Sequence, residues 1–230
     1  MPATLWSVRT GRDRLDSQTR AALITAARQA FSTLGYAHTT VADITERADV
    51  ARATFYVYFA SKDDVFRVLT ELLRDEFLEA QRARSADRDD PVAVATAAVT
   101  DFVDVYAANL AFITVLEHQA LTDPQLRALW LGIRERLLKR MIRFVQQLVA
   151  YGVAHPLAPP DLVATAASGM AVRFAPLIAA QPARRDQIMG HLVRLYLQTL
   201  GVEPDAVEPE TSEPDAREPA VKKPDLEETV

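Results

Sequence analysis

The 230-residue chain contains no cysteine. That excludes a disulfide scaffold, a thiol nucleophile and a thiolate-ligated zinc or iron–sulfur site, and it agrees with a cytoplasmic protein. Histidine is scarce. His38, His118, His155 and His191 lie far apart, with no His-Glu-x-x-His or Glu-x-x-His spacing, so no metal site is expected. Glycine numbers only seven, and neither a Gly-rich phosphate loop nor a Gly-x-Ser-x-Gly elbow is present. No paired-carboxylate motif stands out. An all-helical enzyme is therefore the weakest reading, and no cofactor is expected. No apolar run reaches the ~18–20 residues that span a bilayer. Arg12, Asp13, Arg14 and Asp16 interrupt the stretch where a signal peptide would be apolar. No membrane partner is expected.

Hydrophobic residues make up 49% of the chain and its net charge is −5. An acidic chain argues at first against a nucleic-acid partner, but the charge is unevenly spread. Residues 203–230 hold ten acidic and three basic residues, a net of −7. Residues 1–202 hold 21 acidic and 23 basic residues, a net of +2. The acidity belongs to the tail, where Pro204, Pro209, Pro214, Pro219 and Pro224 recur every five residues, mostly as Glu-Pro. Such spacing forbids a helix and leaves little to bury, so 203–230 is expected to be a disordered, polyproline-biased tail, either solvating or regulatory.

Before the tail, apolar residues recur at helical spacing and the runs are separated by cap residues, Gly and Pro. Ser17 is expected to cap a helix with stripe Leu23, Ala27, Phe31 and Leu34, ended by Gly35. Thr40 caps a short helix in a capping box with Asp43. A turn at 49–51 and a helix over about 52–58 follow. Ser61, Asp90-Pro91, Asn109 and Asp123-Pro124 open further helices. The longest carries Leu126, Trp130, Ile133, Leu137, Met141, Phe144 and Leu148 on one face. Helices over about 161–180, kinked at Pro176, and 183–200 complete an all-α fold of about nine helices. The expected units are a helix-turn-helix domain over 1–60, with 1–16 as a flexible arm, a larger helical domain over 61–202, and the tail.

Residues 40–62 are the most informative. Two short helices joined by a three- to four-residue turn and backed by a third form a helix-turn-helix, whose second helix enters the DNA major groove. At 100° per residue, Phe55 and Phe59 fall about 40° apart and point inward. Ala53, Thr54 and Val57 lie opposite, and Tyr56 and Tyr58 fall on the two flanks. A narrow edge of small residues would face the bases, with tyrosine hydroxyls reaching the phosphate walls. Thr40 and Lys62 stand at helix N-termini, where amides and dipole favour an anion. Residues 1–64 hold eight basic and seven acidic residues. Affinity must therefore come from placement rather than bulk charge.

Three stretches, Ala26-Ala27-Arg28-Gln29-Ala30-Phe31-Ser32-Thr33-Leu34-Gly35-Tyr36, Thr39-Thr40-Val41-Ala42-Asp43-Ile44 and Thr54-Phe55-Tyr56-Val57-Tyr58-Phe59-Ala60-Ser61-Lys62, together resemble the N-terminal domain of the TetR family of bacterial transcriptional regulators. The turn departs from the family's usual Gly-Val-Ser, being Asp49-Val50-Ala51. The resemblance implies a homodimer that binds a double-stranded DNA operator, usually represses, and is released when a small ligand in the larger domain moves the reading heads apart. It implies phosphate contacts for Thr40, Tyr56, Tyr58 and Lys62, and a base-facing edge of Arg52, Ala53, Thr54 and Val57. Arg9, Arg12 and Arg14 would be available to a minor groove or to phosphates.

In the larger domain, Phe102, Tyr106, Phe112, Trp130, Met141, Phe144, Met170 and Phe174 are candidates for a pocket that takes an apolar or aromatic effector. Asn109, His118 and Arg173 are candidate polar anchors. Arg136, Arg140 and Arg143, with Arg134 and Lys139 nearby, form a stripe that reads as a solvated flank or, more sharply, as a seat for an anionic ligand or the acidic tail. Dimerisation is expected through about 161–200, where Ala164, Ala166, Ala167, Ser168 and Gly169 allow close helix approach. The alternative function is a DNA-bound activator or architectural protein gated by a protein partner.

Overall fold

Several of the helices begin where a short polar side chain or a proline suits the unpaired amides of the first turn. The computed structural model describes residues 5–82 and 90–202, with side chains for 17–80, 90 and 92–202. Nine α-helices and no strand occur among the described residues: α1 (Leu5–His38), α2 (Val41–Arg47), α3 (Arg52–Tyr58), α4 (Lys62–Arg82), α5 (Pro91–Ala108), α6 (Leu110–Ala120), α7 (Pro124–Ala150), α8 (Pro160–Ala180) and α9 (Arg185–Leu200). The Asp90 carboxylate accepts the amides of Val92 and Ala93. Asp123 does the same for Gln125 and Leu126. In both cases proline takes the first helical position, where its missing N–H costs nothing. The α4 cap is doubled: the Ser61 hydroxyl accepts the Asp64 amide, and the Asp64 carboxylate accepts the Ala60 amide.

One expected boundary differs. Ser17 lies inside α1, which runs back to Leu5, because this stretch holds no proline and only one glycine, Gly11. Residues 5–16, expected as an arm, thus have helical backbone, while 1–4 and the tail 203–230 lie outside the described residues. Gly35 interrupts the far end of α1 at φ 74°. α8 runs through Pro176 to Ala180, close to its expected extent. Its buried Val163, Ala164, Ala167, Ala171, Ala175 and Ile178 pack among α5, α7 and α9. Contrary to the expectation that no run is long enough, α8 is apolar enough over its 21 residues to cross a membrane by length and composition. A third of its most apolar window is buried in the protein.

α1 packs on α2, α4 and α6, and α3 packs chiefly on α2. The aromatic rings of Phe31, Tyr36, Phe66 and Phe112 meet where α1, α4 and α6 converge, with centroids 4.9–5.6 Å apart. Beyond this seam α5, α7, α8 and α9 form the larger bundle. Arg185 on α9 grips Asp104 on α5 through both carboxylate oxygens, at 2.5 and 2.7 Å. α5 and α6 meet at a 75° bend at Asn109.

Candidate DNA-reading helix and ligand cavity

The turn between α2 and α3 is closed by backbone bonds. The Asp49 amide donates to Glu46 O (3.2 Å) and the Val50 amide to Thr45 O (3.1 Å). This is the Schellman pattern, which needs a left-handed residue just after the helix. Gly201 fills that position at the end of α9, with φ 67°. At the end of α2 it is Asp49, with φ 53°, which a short polar side chain tolerates better than most. The usual family glycine thus has a structural reason, and this chain meets the same geometry at some strain. α3 then starts at Ala51 without a side-chain cap. By contrast, α2 has its full capping box: the Thr40 hydroxyl accepts the Asp43 amide (3.2 Å), and the Asp43 carboxylate accepts the Thr40 amide (2.7 Å). The Thr40 hydroxyl also donates to the Asp43 carboxylate (2.6 Å), and this bond first, then that from the Thr40 amide, holds the Asp43 carboxyl below its ordinary pKa.

Phe55 and Phe59 are sealed in the core, their rings 5.5 Å apart. The outer face of α3 is bare: Arg52 and Ala53 are exposed, Val57 is 75% exposed and Tyr56 50% exposed, with Thr54 half-buried. Tyr58 is half-buried and packs on the core. Arg52 reaches along the helix to the Tyr56 hydroxyl at 3.5 Å. Lys62 is tied inward: its ammonium donates to Tyr36 O (3.0 Å) and lies 4.5 Å from the Tyr36 ring centroid. It thereby covers a carbonyl near the broken end of α1. The Tyr36 hydroxyl donates to Asp63, and burial together with that carboxylate pushes its pKa well up.

A cavity of about 1040 Å³ opens within the larger bundle, at the upper end of the ~300–1,000 Å³ common for ligand sites. Of the ten pocket residues expected from sequence, Phe102, Tyr106, Trp130, Met141 and Phe144 line it. The other five do not. Phe112 is taken up in the seam against Phe66. His118 is exposed, and its ring nitrogen meets Gln119 at 3.4 Å. Met170 and Phe174 pack on the core outside the wall. Asn109 is buried and fully engaged elsewhere. Sequence reasoning misses Phe77 and Tyr196, and it leaves undecided the arginines that also line the cavity: Arg134, Arg140, Arg143 and Arg173. Of the expected Arg136, Arg140 and Arg143 stripe, Arg140 and Arg143 reach the wall with neighbouring Arg134, and Arg173 is a candidate anchor in its own right. Within the wall the indole N–H of Trp130 is buried without a hydrogen-bond partner among the described residues. Burial raises the Tyr106 pKa, with Glu117 adding to the rise and Arg134 opposing it. No group of three or more His, Asp or Glu side chains suited to a metal occurs among the described residues.

Asn109 belongs to a polar junction between the two regions. Arg28 of α1 donates to Asn109 Oδ1 (2.6 Å) and to Glu76 Oε1 of α4 (2.7 Å). Asn109 Nδ2 donates to Glu76 Oε2 and to Val105 O, both at 2.9 Å. Glu76 adjoins the cavity residue Phe77, and Asn109 follows Tyr106 by three positions.

Residues 23–69 match the family model described as bacterial regulatory proteins, tetR family. The chain is 40% identical over 76 residues to the HTH-type transcriptional regulator TtgR of Pseudomonas putida, covering 33% of this chain and 36% of that protein. It is 39% identical over 75 residues to the regulator TcmR of Streptomyces glaucescens, covering 33% of each. The match thus spans about a third of the length of these curated relatives. Among solved structures, a tetR-family regulatory protein from Rhodococcus RHA1 aligns with a TM-score of 0.66 at 20% identity, over 81% of this chain and 98% of that one. The fatty acid degradation regulator FadR from Bacillus halodurans aligns with a TM-score of 0.65 at 22% identity, over 79% and 94%. Residues 23–69 thus carry the N-terminal domain of the tetR family of bacterial regulatory proteins, and the helical fold around them is shared with solved proteins described as tetR-family regulators.

Proposed function

We propose that the chain is a ligand-responsive, DNA-binding transcriptional regulator rather than an enzyme: a cytoplasmic homodimer that represses from an operator and is released by a small, largely apolar effector. The observation that carries this reading is the bare face of α3, where Val57 and Tyr56 stay exposed on a helix anchored from behind by Phe55 and Phe59. A helix with its side chains is ~10–12 Å across and the major groove is ~12 Å wide. Set in that groove, Arg52, Ala53, Thr54 and Val57 face the bases. Thr54 offers the hydroxyl, while Ala53 and Val57 offer methyl contacts suited to thymine. Tyr56, Tyr58, Thr40 and Lys62 meet the phosphates, Lys62 with the donors left over from Tyr36 O. So few base-edge hydrogen bonds leave much of the specificity to DNA shape.

α8 and α9 support the dimer. They pack on each other while Leu162, Leu177 and Leu195 remain exposed in the single chain. A second copy would cover these in an isologous four-helix bundle. The Arg28–Glu76–Asn109 junction supports the gating. A ligand pressing on Phe77 or Tyr106 displaces neighbours that hold α1, the helix behind the reading unit. The ligand shifts DNA affinity only by its differential affinity for the two arrangements.

Selection of duplexes from a random pool by the full chain tests the reading. A pseudo-palindromic sequence is expected to be enriched. Tyr56→Phe and Lys62→Ala are expected to weaken binding to every duplex, and Thr54→Ala to relax the selected sequence. Failure to enrich any sequence, or unchanged binding in all three variants, refutes it.

A further inference from the structure

The cavity has a chemically divided wall. Phe102, Tyr106, Trp130, Met141 and Phe144 give it an apolar, aromatic side. Four arginines also line the cavity. Arg134, Arg140 and Arg143 come from about two and a half turns of α7, and Arg173 comes from α8. Only two carboxylates, Glu117 and Glu135, share this wall. Glu135 is already held by Lys139 at 2.7 Å, one turn along the same helix, and that bond keeps its pKa low. Arg134, Arg143 and Arg173 are exposed and form neither a hydrogen bond nor an ion pair among the described residues. α8 also contributes the small Thr165, Ser168 and Gly169 to the wall, which leave room for a head group.

We infer that the effector is an amphipathic anion: an apolar, ring-bearing body lodged among the aromatic residues, with a carboxylate or similar anionic head held by the arginines of the wall, Arg134 of α7 and Arg173 of α8 foremost. This rests on the cavity being the effector site, as proposed above, and narrows that effector from apolar to apolar with one negative end. The charge arrangement decides the sign. Arg134, Arg143 and Arg173 bring three uncompensated positive charges to the cavity wall, and a bound anion supplies the missing counter-charge. An apolar body filling the cavity displaces water, which lowers the local dielectric and strengthens the attraction. Guanidinium suits a carboxylate because its planar fork donates two parallel hydrogen bonds. A cationic head at the same place meets uncompensated like charge, and a neutral head gains none of this.

Calorimetric titration of the full chain with three probes that share one body tests the sign: 4-biphenylcarboxylate, 4-biphenylmethanol and 4-biphenylmethylammonium. The carboxylate is expected to bind at least tenfold more tightly than the alcohol, and the ammonium more weakly than either. The carboxylate's advantage should shrink as salt is raised. In an Arg134→Gln/Arg173→Gln variant the carboxylate should fall to within about twofold of the alcohol, while the alcohol keeps its wild-type affinity. An alcohol or ammonium that binds as tightly as the carboxylate overturns the inference, as does a variant that weakens all three probes alike. If none of the three binds, the cavity is not the effector site and both readings fail. If the carboxylate binds through the arginines yet leaves duplex affinity unchanged, the gating proposal fails and the anion assignment stands.

Discussion

Phe55 and Phe144 are both phenylalanines on the inner face of an amphipathic helix. Phe55 is sealed against Phe59 and Tyr56 in the small N-terminal unit. Phe144 is half-buried and borders a cavity of about 1040 Å³. In the first region the apolar face exists to fix the outer face, so packing is complete and the exposed edge of α3 is held still. In the second, packing is incomplete, and the unfilled volume is where a ligand gains its contacts. Similar helices therefore serve opposite ends according to whether their inner face is closed.

Truncation separates the two regions most strongly. Phe55→Ala is expected to cost about 3–5 kcal/mol in denaturant unfolding. Phe144→Ala should cost about 1 kcal/mol, because its side chain already borders open space. Equal losses would mean that the cavity wall is as tightly packed as the small unit. Asn109→Ala removes a link shared by both regions. It should cut the effector-induced change in duplex affinity by about tenfold, equivalent to about 1.4 kcal/mol of coupling, while effector affinity measured without DNA changes little. A variant with undiminished coupling would show that the Arg28–Glu76–Asn109 junction is structural only.

Smaller effects concern the α2–α3 turn. Ala51→Ser supplies the missing α3 cap and should stabilise the chain by about 1 kcal/mol. Asp49→Gly relieves a left-handed residue and should add up to about 1 kcal/mol, part of it returned as backbone entropy of the unfolded chain. Both are read as shifts in the thermal midpoint. No gain from either would mean that the turn is already relaxed.

The same contrast explains what is legible in the sequence. The small unit's signals are local: Thr40 with Asp43, the Phe55/Phe59 spacing and Ser61 with Asp64 each act within one or two turns, and each takes the expected geometry. The Ser17 boundary fails because a good cap residue does not start a helix when nothing upstream stops one. The cavity depends on α4, α5, α6, α7, α8 and α9 meeting in space. A helical wheel correctly puts Trp130, Met141 and Phe144 on one face of α7, but it cannot say whether that face meets a neighbour or a void. Nor can it tell solvated arginines from arginines around an opening, so the α7 stripe reads both ways. Asn109 reads as a ligand anchor because its half-buried partners, Arg28 and Glu76, lie 81 and 33 residues away.

The account holds that α3 reads the DNA and the cavity only controls access to it. Sequencing the duplexes selected from one random pool by wild type, Thr54→Ala and Phe144→Ala tests this division directly. The account predicts that Thr54→Ala shifts the selected sequence, while Phe144→Ala selects the wild-type sequence unchanged. A sequence altered by Phe144→Ala, or one unaltered by Thr54→Ala, would contradict it.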